Sequence, residues 1–89
     1  MTIYRPWGTL WLLIHTKHFW LKIIHVHKHH RTSLQYHYFR TEYHISKRGI
    51  RKIVPIQEHH MTSGWYIEIA TGLPTEDDIV RLVDDYNRH

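Results

Sequence analysis

The densest chemistry in this sequence lies in Ser33-Leu34-Gln35-Tyr36-His37-Tyr38-Phe39-Arg40-Thr41-Glu42-Tyr43-His44. In a β-strand, alternate side chains share a face. Gln35 therefore points with His37, and Glu42 points with His44. If two strands carrying these pairs lie side by side with those faces inward, an amide oxygen, an imidazole and a carboxylate converge. Such a mixed nitrogen and oxygen set suits Mn, Fe, Ni, Co or Zn. His59 or His60, after a further strand, offers a fourth imidazole. A buried, hydrogen-bonded polar cluster would use the same residues without any metal. The H-E-x-x-H zinc motif, the Gly-rich phosphate loops and the G-x-S-x-G nucleophile elbow are absent.

The elements that must position these groups read mostly as strands. Thr9–Ile14, His18–Val26, Ser33–Tyr38, Thr41–Ser46, Ile50–Ile56 and Trp65–Ala70 are short and rich in β-branched and aromatic residues. Gly8, Lys47-Arg48-Gly49, Ser63-Gly64 and Gly72 punctuate them, and Pro55 marks a strand end or edge. The pattern changes after residue 74. Thr75 precedes Glu76-Asp77-Asp78, where a helix N-terminus favours negative charge. Ile79, Leu82, Val83 and Tyr86 follow helical spacing, which predicts a helix over 76–86. Asp84 and Asp85 would sit at its unfavourable end and call for a local cation. The expectation is one small all-β domain spanning 1–89, closed by a short C-terminal α-helix.

Composition narrows the function classes. With 89 residues the chain suits a single domain with a marginal core. It has no cysteine, which excludes a disulfide scaffold, Cys-ligated zinc, an iron–sulfur cluster and a thiol nucleophile. The longest apolar run, Leu10–Ile14, is far shorter than a membrane helix. The first residues lack signal-peptide order, so a soluble, cytoplasmic protein is expected.

Charge is segregated. Residues 1–60 carry 10 Lys/Arg and 2 Asp/Glu, whereas residues 61–89 carry 2 and 6. A basic body beside an acidic tail suits a polyanion-binding surface, or a tail packed on the basic part of its own or a neighbouring chain. Histidine occurs 11 times. His25, His27, His29 and His30, interleaved with Lys28 and Arg31, form either a solvated surface or a phosphate-contacting one, and His15 and His18 flank a turn.

Ser33-Leu34-Gln35-x-His37-x-x-Arg40-x-Glu42 resembles the S-L-Q-x-H-x-x-R-x-E motif of type II mannose-6-phosphate isomerases, which carry it in a cupin domain. Arg5-Pro6-Trp7-Gly8, Lys22-x-Ile24-x-Val26, Gly64-x-Tyr66-Ile67-Glu68-Ile69-x-x-Gly72 and the segment Glu76–Arg88 are similar to other parts of that family, in the same order. The resemblance implies a double-stranded β-helix, the cupin jelly roll, around a divalent metal. It implies Gln35, His37 and Glu42 as ligands. The fourth ligand falls at His59 or His60; strand parity with Met61 favours His59. Arg40 and Lys22 match family positions suited to holding a sugar phosphate, and His44 stands where the family has Trp, as an extra ligand or a base.

One departure is large. Only twelve residues separate Glu42 from Pro55, where a full cupin has about two more strands. The barrel is therefore expected to be truncated, with unpaired edges, and a homodimer is expected to complete it or cover its mouth. The implied function is a metal-binding mini-cupin that binds or isomerises a phosphorylated sugar. A non-catalytic basic dimer acting as a regulatory or nucleic-acid-binding adaptor, through Lys17–Lys28 and Lys47–Lys52, is the alternative.

Overall fold

A computed structural model describes residues 1–87. These form eight strands: β1 (Thr2–Arg5), β2 (Gly8–Thr16), β3 (Phe19–Val26), β4 (Leu34–Tyr36), β5 (Arg40–Ser46), β6 (Gly49–Ile53), β7 (Gly64–Gly72) and β8 (Val80–Val83). Six of them make one antiparallel sheet in the order β1-β2-β3-β7-β5-β6, and β4 pairs with β8 in a second. Two antiparallel layers without helix are consistent with a cupin β-sandwich.

The alternation of side chains decides which residues face the second layer. On β3, Trp20, Lys22, Ile24 and Val26 are buried; on β5, so are Arg40, Glu42 and His44. Register aligns them across the sheet: Trp20 opposite Ala70 and Ala70 opposite Glu42, then Lys22 opposite Glu68 and Glu68 opposite His44. The apolar core sits at one end of this face, where Trp7, Leu10, Ile24, Val26 and Met61 cluster with Ile3, Tyr66 and Tyr86 against them. Gly8 makes the turn into β2 possible, because a Cβ there would lie 2.0 Å from the carbonyl oxygen of His25.

The expected helix over 76–86 is absent. Residues 76 and 77 turn, and Val80–Val83 run as a strand with Val80 opposite Tyr36, Arg81 opposite Gln35 and Val83 opposite Leu34. A short helix is marginal on its own, and this one would have ended on Asp84 and Asp85 at its negative pole. The ladder to β4 satisfies the same backbone groups through a tertiary partner. The cation that the tail acids called for is present: Arg31 makes a bidentate contact with Asp85 at 2.8 and 2.9 Å. Strand β1, not anticipated, forms because Thr2–Arg5 folds back on Gly8–Trp11. Among the described residues no helix is long and apolar enough to cross a membrane.

Candidate metal centre

Strands β4, β5 and β7 and the loop before β7 bring the ionisable groups to one place. Glu42, at mid-β5, is 2 % exposed and is the hub. Its Oε1 lies 2.9 Å from His44 Nε2 and 3.3 Å from His59 Nε2; its Oε2 lies 2.7 Å from Arg40 Nε and 3.6 Å from His37 Nε2. His59 reaches the site because its backbone bridges to Gln35, with N–H to carbonyl bonds of 3.0 and 2.8 Å in the two directions. His37 follows β4 directly. It is anchored from two sides: its ring Nδ1–H donates to the carbonyl of Asp78, and its own carbonyl accepts from Ile56 N–H. The Asp78 carboxylate also accepts from the N–H groups of Tyr38 and Phe39, both at 2.8 Å. The acidic tail thus shapes the site.

The tautomers follow from these partners. His37 and His59 both place Nδ1 against a backbone carbonyl, at Asp78 and Gln57, so each presents Nε2 inward. Burial is the main reason that His37 falls to about 4, with Arg40 adding to it against the pull of Glu42. Its ring is therefore neutral at neutral pH, and its Nε2 lone pair accepts from Arg40 at 3.0 Å. Glu42 pays for its burial with partners: desolvation would raise its pKa, but the hydrogen bond from His44 and the charge of Arg40 hold it well below the usual carboxylate range. For His44, burial also opposes charge, but the carboxylates of Glu42 and Glu68 override it and raise the group to about 9.

Two overlapping triads can hold a cation: His37, Glu42 and His59, and Glu42, His44 and Glu68, each with ligand atoms within 4.8 Å of one another. The first fits a metal better. A four-coordinate ion about 2.1 Å from each donor spaces the donors about 3.4 Å apart, close to the 3.3 and 3.6 Å found around Glu42. Above all, His59 Nε2 is buried with no hydrogen-bond partner, facing a carboxylate oxygen. Two buried acceptors in that relation are what a cation resolves. In the second triad, His44 itself is the cation, donating to Glu42 and lying 3.4 Å from Glu68.

The remaining sequence-derived residues fall as follows. Gln35 lines the same cavity as Glu42 and His59, and its Oε1 accepts from Ser33 at 3.3 Å. His60, half-buried, faces out of this cavity into a neighbouring cleft. Arg40 is engaged: besides Glu42 it donates to His37 Nε2 at 3.0 Å and to the Thr75 carbonyl at 2.6 Å. Lys22 is buried, pairs with Glu76 and lies 3.7 Å above the Trp20 ring. Glu68 was not singled out as a site residue. It accepts from Trp20 Nε1 at 2.9 Å and faces His44. The signal for it was a lone acid in the middle of the apolar run Tyr66-Ile67-Glu68-Ile69.

A family model described as "Mannose-6-phosphate isomerase C-terminal" matches residues 1–64 of this chain. No curated protein and no solved structure matches.

Proposed function

The chain belongs to the mannose-6-phosphate isomerase C-terminal family, and from that premise we propose that it is a metal-binding mini-cupin that takes a phosphorylated sugar. The orphaned, buried Nε2 of His59 opposite Glu42 carries this reading. Gln35, His37, Glu42 and His59 would hold one divalent ion of the Zn, Mn, Fe, Ni or Co type. When bound, such an ion supplies a Lewis acid for carbonyl and hydroxyl oxygens.

Cavity size separates the metal from the sugar. The space beside Glu42 is about 80 Å³, whereas small-molecule sites span about 300–1,000 Å³. It suits an ion with a few waters. Next to it lies a cleft of about 340 Å³, sharing His44 and Met61 with the smaller space. Arg48 and Arg51 line this cleft, and Arg48 is steadied by Thr62 Oγ1 at 3.1 Å. These two guanidiniums suit a phosphate, and they are available, unlike Arg40 and Lys22. The sugar would then lie with its reactive end toward His44, the ionisable side chain common to both spaces. Isomerisation would need a proton moved between adjacent carbons, with His44 placed to carry it. The internal pairing of Arg40, Lys22 and His44 favours binding over turnover. The nucleic-acid alternative loses Lys22, which is buried against Glu76.

Calorimetry on metal-loaded protein tests the ligand. Mannose 6-phosphate should bind while free mannose should not, and Arg48→Gln with Arg51→Gln should weaken binding by about 10-fold or more. A coupled assay for fructose 6-phosphate, run with Mn, Co, Ni and Zn, tests isomerisation. No binding of the phosphorylated sugar with any of these metals contradicts the proposal.

A further inference from the structure

The large sheet is inverted relative to an ordinary amphipathic sheet. Its inner face carries Lys22, Arg40, Glu42, His44 and Glu68, while the middle of its outer face is apolar, with Thr9 and His25 at one end and Thr41 and Thr71 at the other. Register sets Trp11, Ile23, Ile67, Ile45 and Ile50 side by side across five strands. The next row continues Leu21, Ile69 and Tyr43, and its first charge is Lys52 at the edge. Among the described residues, nothing covers this face: Trp65 is 60 % exposed, Ile67 41 % and Ile50 72 %. An antiparallel sheet with one solvated face normally turns polar residues outward, and contiguous exposed apolar surface of this kind marks an interaction site.

We propose that a second copy of this chain covers that face, so that two large sheets pack face to face in a symmetric dimer. Three observations select this occupant. The first is area. Five interstrand spacings of about 4.8 Å, with strands up to nine residues long at about 3.4 Å each, give a face of roughly 24 by 30 Å. Its side chains offer enough surface for the roughly 800 Å² per partner of a stable dimer. The second is charge. The chain carries a net +4, and this is the surface on which two such chains meet without like charges opposed. A charged partner would find no complement here. The third is that the sheet edges are blunted against strand addition: β6 carries Arg51 and Lys52, and β1 ends at Arg5 and Pro6. The face, rather than the edges left by the truncation, is the site of pairing. Between Ile23, Ile45, Trp65 and Ile67 lies a hollow of about 310 Å³ that a bulky apolar side chain of the second copy can enter.

Light scattering on the eluting full-length protein should give twice the 11.0 kDa of one chain. Ile67→Lys, at the middle of the row, should give the single-chain mass with an unchanged β-type circular dichroism spectrum. Should that variant fail to fold, the cysteine-free sequence permits a second test. Oxidised Ile67→Cys should form a disulfide-linked dimer, and Glu58→Cys, away from this face, should not. A wild-type monomer at about 100 μM overturns the proposal, including one that takes up a different protein on this face. So does a dimer that survives Ile67→Lys while Ile67→Cys fails to cross-link. Metal content, read on the same samples, varies independently of these outcomes.

Discussion

Arg40 competes with a metal for two of the candidate donor atoms. Its guanidinium donates to His37 Nε2 and to Glu42 Oε2, two of the atoms that would hold the ion. It therefore stabilises the metal-free protein by supplying positive charge to a carboxylate that is 2 % exposed. Removing one partner of a buried pair costs about 3–5 kcal/mol, because the other charge is left unpaired. Arg40→Met should lower the stability of the metal-free chain by about that amount, and added metal should raise its melting temperature more than it raises that of the wild type. Calorimetric melting with and without metal checks this; equal gains in the two proteins would contradict it. A second residue-scale prediction concerns Glu76. Burial alone would raise its carboxyl, but Lys22 holds it below its ordinary value of 4.5. A depressed folded-state pKa contributes stability that is present above the unfolded value and is lost as pH falls through the folded one. Urea midpoints should therefore decline as pH falls below the ordinary value of 4.5, and Glu76→Gln should flatten part of that decline. Because Glu76 is half exposed, the change is modest.

At the scale of elements, the turn between β1 and β2 is the most sharply constrained. Gly8→Ala would place a methyl 2.0 Å from the His25 carbonyl oxygen, against backbone that is itself in the β2–β3 ladder. Overpacking of this kind costs about 1–3 kcal/mol; a lower chemical-denaturation midpoint with an unchanged slope is the expected outcome. The elements also show where sequence reasoning held and where it did not. Glu42 and His44 could be placed on one face because strand parity is local and has no alternative once Thr41–Ser46 is a strand. His59 could be preferred to His60 by the same parity with Met61. The tail could not be read this way. Ile79, Leu82, Val83 and Tyr86 satisfy helical spacing, yet Val80–Val83 is also a β-rich tetrapeptide. Which reading wins depends on β4, a partner distant in the chain. The local pattern carries no information about it.

For the whole molecule, alternation gives two opposite answers. In Glu42–Ser46 polar and apolar residues alternate, and in Trp65–Ala70 Glu68 is a lone acid among apolar residues; the usual rule sends Glu68, Glu42 and His44 to solvent. The fold does the reverse: it buries them around a site and leaves Ile67 and Trp65, on the same strand as Glu68, outside. Only the clustering of chemistry in Ser33–His44 signalled the inversion, and Glu68, isolated on its own strand, went unassigned. Such a core of paired charges contributes little net stability; under the two proposals above, a bound metal and a second copy would supply what a chain of this size lacks. The most direct measurement is elemental analysis of protein purified without an affinity tag or a metal column. The account predicts about one divalent metal ion per chain in the wild type, and affinity lowered by at least about 100-fold in His59→Ala and in His37→Ala. Wild-type protein that carries no metal, and that Zn, Mn, Fe, Ni and Co neither bind nor stabilise, would contradict it.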